Sequence, residues 1–239
     1  MRGCLFTLLL GAIVVGFIVV VGLPAAAAGI VTAGLSAAGL AAADTTVTVR
    51  SDPPTDLLGL KADTVHVTAT HATFRGLRVG SLDLVLGDVA VLERTAGTVD
   101  GELRDVTITA TGGQHVTLDR ISIAGGGDAI TTTTIIPGAE AEALIADALE
   151  AQTGTRPTAV ALASPDGLTV KAGGATIKGR FAISGKGDLV LRGVDGTTPG
   201  TEIVLVRGGK EIPIELTSVK VTQDGGLRLS GNLSLGILG

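Results

Sequence analysis

The amino-acid sequence predicts an α+β, β-rich fold, with a long twisted antiparallel sheet wrapped around one central helix. Three observations predict it. From residue 45 onward, apolar and polar residues alternate with period two in one stretch after another, giving each strand one apolar and one wet face. One internal segment, "IIPGAEAEALIADALEAQTG" at 135–154, switches instead to the helical period. Between these stretches stand clusters of Gly, Pro and Asp, the residues that turns require.

The chain begins with an apolar run. Residues 4–23, "CLFTLLLGAIVVGFIVVVGL", are 20 uncharged residues behind Arg2, enough to cross ~30 Å of hydrocarbon as a helix. Residues 1–24 are therefore expected to be a signal peptide or a membrane anchor. The small residues "AAAAG" after Pro24 suit cleavage, whereas the apolar core exceeds the ~7–15 residues of a signal sequence. Either way the remainder is expected outside the cytoplasm, secreted or membrane-anchored in a periplasm-like envelope space. Residues 25–44 are Ala/Gly-rich, a tether or a helix, and residues 45–239 read as a single β-rich domain.

Within that domain, "TVHVTAT" (64–70) sets Val65, Val67 and Ala69 on one face, and "SLDLVLGDVAVL" gathers Leu82, Leu84 and Leu86. "DVTITAT" (105–111) aligns Val106, Ile108 and Ala110, and "ATIKGRFAI" aligns Ile177, Phe181 and Ile183. "EIPIEL" (211–216) and "LRLSGNLSLGIL" (227–238) continue the alternation. In "HVTLDRISIAG" the parity slips between Leu118 and Ile121, predicting a β-bulge near Asp119–Arg120. Turns are expected at "GG" 112–113, "GGG" 125–127, "SPDG" 164–167 and "DGG" 224–226, and "SDPP" at 51–54 breaks any regular element. The helix is expected at about 137–151. Ala141, Leu144, Ile145, Ala148 and Leu149 form its apolar stripe, Glu140, Asp147 and Glu150 the opposite side, and Gly154 its stop.

Composition removes several functions. Net charge is −5, from 18 Lys+Arg and 23 Asp+Glu, which disfavours nucleic acid as a partner. Aromatics are 2% of the chain, four Phe with no Trp or Tyr, so stacking platforms for bases or sugars are nearly absent. The one cysteine, Cys4, lies in the apolar run, and with three scattered histidines it supplies too few ligands for a zinc site of the usual Cys type. No nucleophile elbow, phosphate loop or His-Glu-x-x-His motif occurs. His66, His71 and His115 read as polar-face or turn residues, and no catalytic residue or cofactor is expected. The protein is not expected to be an enzyme.

What remains is aliphatic surface. Phospholipid chains want such walls, gaining ~0.8 kcal/mol per buried CH₂. A groove between sheet and helix would be lined by Leu84, Leu86, Ala141, Leu144, Ile145, Ala148, Leu149, Phe181 and Ile183, with Arg75 or Arg78 at its mouth for the head group. The same alternation also suits a structural or adhesion module with a closed core. Cavity volume beside residues 141–149 separates the two.

Two stretches carry a family resemblance. "DPPTDLLGLKADTVHVTATHATFRGLRVGSLDLVLGDVAVL" (52–92) resembles the signature of the LmeA-like phospholipid-binding proteins of actinobacteria. The matching features are Pro53/Pro54, Leu57–Leu58–Gly59, Val65 and Val67, Gly76–Leu77–Arg78–Val79, and Leu82, Leu84 and Leu86. "LTSVKVTQDGGLRLSGNLSL" (216–235) resembles the family's closing hairpin, and a central helix opened by threonines, as at 131–149, also fits. The resemblance implies an exported or membrane-anchored protein whose elongated β-groove, similar to tubular lipid-binding domains, takes phospholipid. In the best-known members this is linked to lipoglycans of the envelope.

Overall fold

The structure, a computed structural model, describes residues 23–37, 40–74, 77–90, 93, 95–110, 113, 115–126, 129–193, 202–208 and 214–233. The run expected to be a signal or anchor therefore lies outside the described residues, except its last residue. Among the described residues no helix is long and apolar enough to cross a membrane.

The Ala/Gly-rich segment is a helix. Helix α1 (Leu23–Ala37) leads through β1 (Leu40–Ala41) to β2 (Asp44–Arg50). It docks on the domain through Ala27, with Ala28, Val31 and Leu35 partly buried beside it, and so is no free tether. Gly29 within it has open space around the position of a Cβ. Gly29→Ala should therefore raise stability by about 0.5–1 kcal/mol, by removing backbone entropy from the unfolded chain, as urea denaturation would read.

The prolines of "SDPP" interrupt the strands as expected, and a 3-10 helix (Pro54–Gly59) follows. Then come five long antiparallel strands: β3 (Lys61–Phe74), β4 (Leu77–Ala90), β5 (Thr95–Thr109), β6 (His115–Gly126) and β7 (Ala129–Ile136). Helix α2 (Gly138–Thr153) ends at Gly154, whose left-handed φ of 73° lets its N–H donate to Glu150 O at 2.8 Å. Five strands form a second sheet: β8 (Ala159–Ala163), β9 (Gly167–Ala172), β10 (Ala175–Ile183), β11 (Leu189–Gly193) and β12 (Glu202–Val206). The hairpin β13 (Ile214–Val221) and β14 (Leu227–Leu233) returns to the first sheet.

The larger sheet has the order β1-β3-β4-β5-β6-β7-β14-β13, with β2 also on β3, and the smaller is β12-β11-β10-β9-β8. All pairings are antiparallel. Apolar residues of both sheets and of α2 join one core cluster. The expectation of one sheet is corrected to two, because the chain after α2 pairs with itself before β13 rejoins the first sheet.

The parity slip between Leu118 and Ile121 is real but is not a lone bulge. Ala69, Leu82, Leu103 and Ile121 form one cross-strand row, and Ala72, Val79, Val106 and Leu118 form the next apolar row. Between these rows every strand spends two residues, so each changes inward parity at the same line without a shift of register. His71 (φ 48°) and Asp105 (φ 51°) absorb the step. Gly80 is needed beside it, since a Cβ there would lie 2.8 Å from Asp105 Cβ. A slip in one strand alone would turn its apolar residues to solvent, so the four strands step together.

Candidate functional site

Val206 of β12 meets the inner face of the large sheet. Where they meet lies a cavity of about 20 Å³. Its aliphatic wall is Leu77, Ile108, Leu118, Ile121, Val206, Ile214, Leu216 and Leu229, and Thr132, Thr134 and Ser230 complete it. Leu77 on β4 and Leu216 on β13 are five strand steps apart, roughly 24 Å along a flat sheet. Both reach this one cavity, so the sheet is curled about it.

The polar part of the seam comes from β7, where inward positions run Ile130, Thr132, Thr134, Ile136. Thr132 and Thr134 are the buried polar side chains among the described residues. Thr132 Oγ1 donates to Gly231 O at 3.2 Å, and Thr134 Oγ1 to Arg120 O at 2.7 Å. Their protons are thus committed to the sheet, while an oxygen lone pair on each remains for a ligand donor or a water. Among the described residues no titratable side chain lines this cavity, which offers apolar contact and hydroxyl groups.

Volume limits what fits. About 20 Å³ holds roughly one water, against ~300–1,000 Å³ for a small-molecule pocket. An acyl chain enters only if the two sheets part. Main-chain bonds between them include Leu216 N–H to Gly187 O at 3.3 Å and Val221 N–H to Pro165 O at 2.7 Å. Much of the remaining joint is aliphatic contact, which is non-directional.

None of the nine residues expected to line a groove lines this cavity. Ala141, Leu144, Ile145 and Ala148 are buried, and Leu149 is half-buried. The reason is that α2 packs against β12, β8 and β6, so its apolar stripe is covered on the side where a groove was expected. Phe181 is buried in the second sheet with Ile183 half-buried near it, and Leu84 and Leu86 on β4 are half-buried against the same core. Arg78 is exposed on the outer face, one residue from the cavity-lining Leu77, and Arg75 lies outside the described residues. Lining residues the sequence did not single out come from seven strands, and only the inward threonines of "TTTT" were visible as an anomaly in an aliphatic register.

The remaining polar groups form surface pairs. His66 Nε2 stands 2.8 Å from Asp83 Oδ1, with both side chains exposed. His115 faces the Thr109 hydroxyl at 3.4 Å, and His71 sits at the step in β3. The structure brings no two histidines together, and among the described residues no group of His, Cys, Asp and Glu could hold a metal ion. Arg156, just past the end of α2, bonds Asp147 at 2.6 Å and Glu150 at 2.7 Å. The hydrogen bonds that the guanidinium donates to Glu150 and then to Asp147 raise its pKa further. In the β13–β14 turn, the Thr222 side chain and the backbone amides of Asp224 and Gly226 hold the Asp224 carboxyl below its usual range.

No protein-family model, curated protein or solved structure matches the chain.

Proposed function

We propose that this chain is a non-enzymatic phospholipid-binding protein of the cell envelope, held at the membrane by its N-terminal apolar run. The acyl chain enters between the curled large sheet and β12. The observation that carries this reading is the seam: eight aliphatic walls and three hydroxyl-bearing residues meet in a cavity lying across the joint of two sheets. The aliphatic interior, with Phe181 its one buried aromatic among the described residues, supports it, as does the resemblance to LmeA-like proteins. On this reading the two sheets and α2 form a groove of the tubular lipid-binding kind, with α2 as its fixed filler and the seam as its opening. The lipid would serve envelope lipid or lipoglycan maintenance.

A second reading, a structural or adhesion module with a closed core, is favoured by the cavity's small volume and the burial of α2. Cross-linking separates them. The full chain in vesicles containing a phospholipid with a diazirine on its acyl chain is irradiated, and labelled peptides are mapped by mass spectrometry. Labelling in residues 116–136 and 203–230 is expected. Labelling confined to residues 1–37 would leave the closed-core module standing.

A further inference from the structure

Among the described residues, the most exposed large apolar side chain stands beside the helix that follows the apolar run in sequence. Leu58, on the 3-10 helix, is 69% exposed, and Ile30 on α1 is 47% exposed. Helix α1 packs along β2 and against the 3-10 helix. Its 15 residues are about 22 Å long, and the 7 residues of β2 span about 23 Å. Only residues 38–43 join them, so the two run antiparallel and the start of α1 lies beside the end of β2. There the chain turns through 51–53 into the 3-10 helix.

This arrangement fixes which end of the domain faces the lipid. The apolar run ends at Leu23, the first residue of α1. Ala27, already buried at 8%, is four residues on and about 6 Å along the axis. The head-group layer on one side of a bilayer is about 5–8 Å thick. If the run spans the hydrocarbon, the 3-10 helix therefore lies within that layer.

We propose that Leu58 is a second membrane contact, inserting into the boundary between head groups and acyl chains beside the point where the anchor emerges. The proposal rests on the reading of residues 4–23 as membrane-embedded. The occupant is a bilayer and the force is apolar. Helix α1 bears no charge, and exposed Asp52 and Asp56 offset exposed Arg50 and Lys61 around the turn. Among the described residues of this tip no net positive charge is thus left to draw anionic lipid, and the contact should be insensitive to salt. Anchor and Leu58 together give two points of attachment, which hold the domain at one tilt.

The test uses the full chain with Cys4→Ser, which removes its one cysteine, and with Leu58→Cys carrying an environment-sensitive fluorophore. The protein is placed in phosphatidylcholine vesicles with doxyl-labelled lipids. Val85→Cys is the reference, on the outer face of the large sheet and 39% exposed. Quenching at position 58 several-fold above that at 85, unchanged between low and high salt, is expected. In addition, Leu58→Ser should leave flotation with vesicles intact while freeing a label at Ile30→Cys from lipid quenching. Flotation with equal quenching at 58 and 85 overturns the contact alone, leaving the anchor standing. Failure to float overturns both. A label at 58 shielded from iodide yet not quenched by lipid means that a protein covers the turn, and that also overturns the proposal.

Discussion

Ile145→Ala is expected to lower the unfolding free energy by about 2–5 kcal/mol, shifting Tm down by roughly 4–20 °C for a domain of this size. Ile145 has 0% exposure and sits on the stripe of α2 that faces the core, with Ala141 above it and Ala148 below. Small alanines flank it, so few large side chains stand ready to move into the space, and a cavity remains. Leu149, half-buried at the end of the same stripe, should cost less when shortened, because water fills the vacated space. Ile145→Asp is expected to abolish folding, since it would put a carboxylate at a fully buried position of the hydrophobic core. Charged substitutions at Leu144 or Ile145 therefore report on the core and cannot probe ligand binding. Urea denaturation of Ile145→Ala and Leu149→Ala side by side measures the difference. Equal and small losses would mean that α2 is peripheral.

Gly126→Ala is expected to destabilise by about 1–3 kcal/mol through overpacking. A Cβ on Gly126 would meet the carbonyl oxygen of Gly97, with the Gly97 carbonyl carbon at 3.0 Å and Thr98 Cα at 3.4 Å. All three are backbone atoms, so no side chain can rotate away. The collision would spread, because Gly97 is itself hemmed by Asp88 Cβ, 2.9 Å from where its own Cβ would stand. Three neighbouring strands thus depend on two glycines at one corner of the large sheet. Gly59→Ala is the control, with nothing within 4 Å of the added atom, and should stay within about 0.5 kcal/mol of the parent. Thermal unfolding of the two variants separates a steric requirement from a general dislike of side chains at glycine.

Much of the fold was legible in the chain's periodicities. The alternations around Val65, Leu82, Val106 and Leu227 are strands with those residues inward, and the stripe at 141–149 is a helix with the predicted glycine stop. Each of these is a local property, since the period of apolar residues reports how one element meets a core. The candidate site was hardly legible. Leu77, Ile108, Leu118 and Val206 look like any other inward aliphatic residues in sequence, and what distinguishes them is which strands the curl brings opposite β12. The bulge expected near Asp119 shows the same limit: one strand's parity slip is visible locally, whereas the matching slips at His71, Gly80 and Asp105 become one step only once register aligns them.

The sequence by itself determined which residues turn inward and that the interior is aliphatic. It also determined that little chemistry beyond apolar contact is available to that interior, because residue type and period are written in the chain. Tertiary structure decided that there are two sheets, that α2 packs against β12, β8 and β6, and that Leu77, Ile108, Leu118 and Val206 meet at one cavity in the seam. Those outcomes depend on contacts between residues as far apart as Leu77 and Leu229, and the local pattern around either residue carries no information about its distant partner.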